Sequence, residues 1–177
     1  MGDRLRRGRE RTVIGLALWK LLWPVRAWWR KGLEVGGYFP DFTLKDEAGR
    51  GFTLSDNPSG KRTVVWLTNL CEDCRTKVPL LEELRREEGG RFRVLAVSLL
   101  GDDATLPRQM SAECGFPILL DPDDIVGREL GLVHPPGTCP LHNLFILDMD
   151  RRVLFRHHLS ALEPAAFRAI WTAMDGK

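Results

Sequence analysis

Between Thr63 and Leu99 the chain passes from the stretch Thr63-Val64-Val65-Trp66-Leu67-Thr68 through Cys71-Glu72-Asp73-Cys74 into a helical stripe, and leaves by a second apolar stretch, Phe92 to Leu99. Continuous β-branched and aromatic runs of this length fit strands buried on both faces. From Cys74 to Glu88 the spacing becomes helical: Val78, Leu81 and Leu84 form one stripe, with Arg75, Lys77, Glu82, Glu83 and Arg85 to Glu88 outside it. Gly89-Gly90 stops that helix. Two buried strands joined by a helix pair in parallel through a right-handed crossover. The cysteine pair therefore stands where a central strand turns into a helix.

The remaining elements follow from the same patterns. Tyr38 to Leu44 reads as a short strand entering the turn Asp46-Glu47-Ala48-Gly49. Residues 104–115 read as helix, Phe116 to Leu120 as a strand, Asp123 to Leu130 as a helix, Leu144 to Leu147 and Val153 to His157 as a hairpin, and Pro164 to Met174 as a closing helix. A chain of 177 residues with 44% hydrophobic and 28% charged residues suits one domain with an extension. No internal repeat or low-complexity stretch interrupts it. Four cysteines, two of them paired in sequence and two scattered, do not make the framework of a disulfide-stapled miniprotein.

The extension is residues 1–33, ahead of a folded domain at 34–177. The net charge of +2 hides an asymmetry, because residues 1–31 hold nine Lys or Arg against Asp3 and Glu10. Thr12 to Trp29 is apolar except for Lys20 and Arg26, and it carries Trp19, Trp23, Trp28 and Trp29. A cleavable signal needs an unbroken apolar core and a small-residue cleavage site, and Lys20 interrupts the core with no such site following. A spanning helix would carry a cost of about 2.5 to 3.5 kcal/mol for each central Lys or Arg, and Pro24 would break its regularity. Basic side chains that snorkel, with tryptophans at headgroup depth, fit an amphipathic anchor over residues 12–31 lying on an anionic membrane surface. The expectation is a membrane-associated protein; positive charge on both flanks leaves the side of the membrane open. A strained spanning anchor, a basic helix packing its tryptophans on a partner chain, and a disordered segment are the alternatives. No nucleic-acid-binding motif accompanies the charge, so no nucleic-acid partner is expected.

Taken in order, Gly37-x-x-Pro40-Asp41-Phe42-x-Leu44, Cys71-x-x-Cys74-Arg75, Pro79, Phe116-Pro117-Ile118-Leu119-Leu120-Asp121-Pro122 and Leu144-Phe145-Ile146-Leu147-Asp148 resemble the signatures of thioredoxin-like redoxins. Two branches are similar: the alkyl hydroperoxide reductase and thiol-specific antioxidant family, and the membrane-anchored thiol-disulfide reductases of the cytochrome-maturation type. The resemblance covers about residues 34–173. It implies an α/β fold of three layers, α/β/α, around a central mixed sheet, and an oxidoreductase that needs no bound cofactor. The partners it implies are protein disulfides or dithiols, or a peroxide, with an external thiol reductant.

A thiolate is the attacking species in such chemistry, and a cysteine at a helix start gains it from unpaired backbone N–H groups. Cys71 takes that place, and Cys74 one turn later can resolve a mixed disulfide. Glu72 and Asp73 oppose thiolate formation while suiting the helix end. Thr68 stands where the peroxidases of the family carry a threonine. His142 occupies the position of their peroxide-binding arginine, which argues against peroxide reduction through Cys71. In the disulfide reductases the same position holds a cis-proline, and Pro140 lies two residues ahead of it. The acidic proton acceptor of those reductases has no evident counterpart. In such a fold the loop ahead of Leu144 faces the cysteine pair, so Cys139 and His142 are expected near Cys71 and Cys74. Those four would suit zinc or copper, a set comparable to that of thioredoxin-fold copper-delivery proteins. Cys114 reads as a packed thiol. His157 and His158 point to opposite faces of a strand, and Asp121, Asp123 and Asp124 read as a turn and helix cap.

Overall fold

The structure is a computed structural model that describes residues 33–57, 60–88, 90–100, 105–132 and 139–175. The expected anchor at residues 12–31 lies outside these, as does Gly89. Seven strands form one sheet in the order β2-β1-β5-β4-β3-β6-β7. They are β1 (Thr43–Asp46), β2 (Gly51–Thr53), β3 (Arg62–Thr68), β4 (Phe92–Ser98), β5 (Ile118–Leu120), β6 (Leu144–Leu147) and β7 (Val153–His157). β3 pairs in parallel with β4 from Arg62↔Phe92 to Thr68↔Ser98, and antiparallel with β6. The apolar run at 63–68 is thus central, and it is buried on both faces because each face has its own cluster. Val64 and Trp66 share one cluster with Leu81, Leu84, Met110 and Phe167, while Val65 and Leu67 belong to another with Phe39, Phe42, Val126 and Phe145.

The helices are α1 (Glu72–Arg75), α2 (Val78–Glu88), α3 (Thr105–Glu113), α4 (Ile125–Glu129) and α5 (Pro164–Asp175), with a 3-10 turn at Leu159–Ala161. The single helix expected from Cys74 to Glu88 is instead two, and the cause is Pro79. Proline has no N–H to give to the Arg75 carbonyl, and its ring crowds that carbonyl, so it belongs in a first helical turn. The chain obliges by ending α1 and restarting: Thr76 Oγ1 donates to Asp73 O (2.7 Å), and Leu80 N–H to Lys77 O (3.1 Å). The strand expected at Tyr38 to Leu44 begins only at Thr43, and Tyr38 makes an isolated bridge to Arg152. Buried Asp121 accepts the N–H groups of Ile125 (2.8 Å) and Val126 (2.9 Å), the capping role anticipated for that acidic group.

Candidate functional site

The site forms where β3 ends. After Thr68 the chain must leave the sheet and start α1 within three residues, and it does so through Leu70 in the left-handed region at φ 54°. A buried leucine there is strained, and local bonds hold it: Leu70 N–H donates to Thr68 Oγ1 (2.8 Å) and Cys71 N–H to Asn69 Oδ1 (3.1 Å). Cys71 caps α1 in extended backbone, its carbonyl accepting Arg75 N–H at 3.0 Å. That places Cys74 one turn on, facing inward and fully buried, while Cys71 is half-buried.

The loop ahead of β6 completes the site. Cys139 Sγ accepts Asn69 N–H (3.3 Å), lies 2.8 Å from Asn69 Oδ1 and 3.9 Å from Thr68 Oγ1. The sulfurs of Cys71, Cys74 and Cys139 all lie within 4.8 Å of one another, and all three are free thiols. Thr68, Cys71, Cys74 and Cys139 are therefore brought together. Buried Pro140 follows in that loop, and no cis peptide bond occurs among the described residues.

His142 is not brought in. Among the described residues the cluster of possible ligand atoms is Cys71, Cys74 and Cys139, without His142. His142 stands in a bend ahead of β6, one residue before the buried Asn143. The half-buried His142 ring keeps its Nδ1 without a hydrogen-bond partner, and burial, with the positive charge of Arg156, holds it neutral below the ordinary histidine range. His157 and His158 stay apart from the thiols' ligand cluster; the Nδ1 of His158 pairs with Ser160 Oγ at 2.8 Å. Cys114 is a packed thiol, pushed up to about 11 by burial and by the charges of Glu82 and Glu113.

Two residues that sequence reasoning passed over hold the site together. Asn143, fully buried, donates from Nδ2 to Cys74 Sγ (3.6 Å) and accepts Leu159 N–H at Oδ1 (2.8 Å), tying β6 to the turn beneath α1. Asn69 joins the Cys71 backbone to the Cys139 sulfur. A polar residue immediately ahead of an apolar strand was the available signal for Asn143. Electrostatically the thiols divide: the hydrogen bond to Cys139 and burial push Cys74 far up, while hydrogen bonds from Cys74, Asn69 and Thr68 bring Cys139 down against burial.

Residues 35–156 match the model of the AhpC/TSA family. The thioredoxin-like protein YneN of Bacillus subtilis is 30% identical over 95 residues, 51% of this chain and 55% of that protein. The chain thus spans about half the length of the curated relative it matches. Among solved structures, the peroxidoxin BcpB of Mycobacterium tuberculosis superposes with a TM-score of 0.66 at 19% identity, over 81% of this chain and 97% of that one. A candidate thiol:disulfide interchange protein DsbE from Chlorobium tepidum does so with a TM-score of 0.60 at 26% identity, over 81% and 97%. The fold is the thioredoxin-like α/β fold.

Proposed function

The chain belongs to the AhpC/TSA family, and from that premise we propose that it is a thiol-disulfide oxidoreductase in which Cys71 attacks a substrate disulfide and Cys71 and Cys74 end as the oxidised pair. The observation that carries this reading is the half-buried Cys71 sulfur standing within 4.8 Å of a fully buried Cys74 sulfur at a strand-to-helix junction. Attack from Cys71 forms a mixed disulfide, and a second thiol at that distance closes an intramolecular disulfide after a small movement. The likeness to a candidate interchange protein of the DsbE type agrees with it. The substrate class is a protein or small-molecule disulfide, and an external dithiol returns the pair to its reduced form.

Peroxide reduction through Cys71 is the second reading, carried by the family and by the likeness to a peroxidoxin. Disulfide exchange stands ahead of it because the Thr68 hydroxyl serves Leu70 N–H and Cys139 rather than Cys71. We assign residues 1–33 as a membrane-surface anchor and 34–177 as the redox domain, on the pattern of basic residues and tryptophans in the first segment. Among the described residues no helix is long and apolar enough to cross a membrane. Parallel assays of the purified chain on a disulfide substrate and on hydrogen peroxide, each with a dithiol reductant, test the reading. Disulfide turnover that disappears in Cys71→Ser is the expected result, and peroxide consumption without disulfide turnover would reverse the order of the two readings.

A further inference from the structure

The three sulfurs of the site differ in access and in charge, and these differences determine which of them finishes the exchange. Cys74 is sealed from solvent, with the Asn143 amide and two sulfurs as its neighbours. Cys71 and Cys139 are both half-buried. A substrate sulfur bonded to Cys71 therefore sits on the open side, with two thiols inside 4.8 Å of the bond to be broken. Cys139 is the one whose sulfur receives a backbone N–H, from Asn69, and has the Thr68 hydroxyl beside it at 3.9 Å. The Asn69 N–H stabilises a thiolate there. We propose that Cys139 is a third redox thiol, which attacks the Cys71 mixed disulfide, releases the substrate and then hands the oxidation on to Cys74. This rests on the thiol-exchange reading above.

The two steps balance. The Cys139 thiolate attacks Cys71 Sγ; the bond between Cys71 and the substrate breaks, and the substrate leaves as a thiolate that takes a proton from water. A Cys71–Cys139 disulfide remains. Cys74 then gives its proton to water and attacks Cys71 Sγ, and Cys139 leaves as a thiolate. Cys71 and Cys74 have lost the two electrons that the substrate disulfide gained, and Cys139 ends as it began. An external dithiol reduces the Cys71–Cys74 pair. The division of labour follows from access and donors: Cys74, sealed from solvent and pushed up by burial and its sulfur neighbours, is slow to ionise and attack, and Cys139, with the Asn69 N–H on its sulfur, is fast. While Cys139 is protonated it donates to Asn69 Oδ1 at 2.8 Å.

The test uses the full reduced chain and an aromatic disulfide that releases a coloured thiolate, with acid quenching and peptide mapping of the disulfides. Wild type quenched at early times should contain a Cys71–Cys139 bond that gives way to Cys71–Cys74. Cys74→Ser should still release a second equivalent of colour and hold Cys71–Cys139. Cys139→Ser should still reach Cys71–Cys74, with the second equivalent released about tenfold more slowly at neutral pH and the deficit closing as the pH rises, because Cys74 must then ionise unaided. Cys74→Ser stopping at one equivalent with Cys71 still bearing the reagent, together with no trapped Cys71–Cys139 bond in wild type, would overturn the proposal and leave the exchange reading intact. No reaction at Cys71 in wild type would overturn both.

Discussion

At the scale of single residues, the site depends on how three sulfurs share donors that the backbone supplies. Asn69 is the residue through which Cys71 and Cys139 feel one another, since its Oδ1 takes the Cys71 N–H and contacts the Cys139 sulfur. Asn69→Asp puts a carboxylate beside that sulfur, and like charge disfavours a thiolate. With Cys139 brought down to about 6 in the native chain, its alkylation should already be near its plateau at pH 7. The substitution should shift the half-point to higher pH. An unchanged alkylation profile, read by mass spectrometry at Cys139, would show that Asn69 does not govern the thiolate. The sequence made Cys71, Cys74, Thr68 and Cys139 legible because each stands in or beside a spaced motif. Asn69 and Asn143 escaped because an asparagine carries no motif; its role appears only when loops from distant parts of the chain meet. His142 was misplaced because the bend ahead of β6 carries no periodic pattern that sets a side chain's direction.

At the scale of elements, alternation and helical spacing located the strands and helices, and the deviations trace to identifiable residues. Pro79 divided one expected helix into α1 and α2, an effect of a missing N–H that periodicity does not register. The turn between β1 and β2 is held by Asp46, which accepts Ala48 N–H (3.0 Å), Arg50 N–H (2.8 Å) and the Arg50 guanidinium (2.7 Å). Burial works to raise this carboxyl, and the bonds to Arg50 and Ala48 outweigh it and hold it below the ordinary carboxylate range. A depressed carboxyl contributes stability that is present above its unfolded value and is lost as the pH falls through its folded value. Asp46→Asn should therefore lower stability by about 1 to 2 kcal/mol at neutral pH. It should also flatten the loss of stability below about pH 4, where the native carboxyl becomes protonated. Equal acid sensitivity of variant and wild type in thermal unfolding would contradict this account of the turn.

At the scale of the whole molecule, the sheet order places β3 between β4 and β6, so the ends of a parallel crossover and of the loop before β6 meet at one edge of the core. That meeting is what turns a two-cysteine motif into a three-thiol site, and it depends on the closed fold rather than on any local pattern. The anchor proposed at residues 12–31 gives a separate prediction. Replacing Trp19, Trp23, Trp28 and Trp29 by alanine in the full chain should sharply weaken binding to anionic vesicles and leave thiol exchange unchanged. Retained binding in a flotation assay would assign that segment another role. The central claim is tested most directly by equilibrating the full chain with a graded dithiol/disulfide buffer and mapping its disulfides by mass spectrometry. The account predicts one reversible two-electron transition in which Cys71 and Cys74 become bonded to each other. Cysteines that stay free across the whole range, or an oxidised state that excludes Cys71, would contradict it.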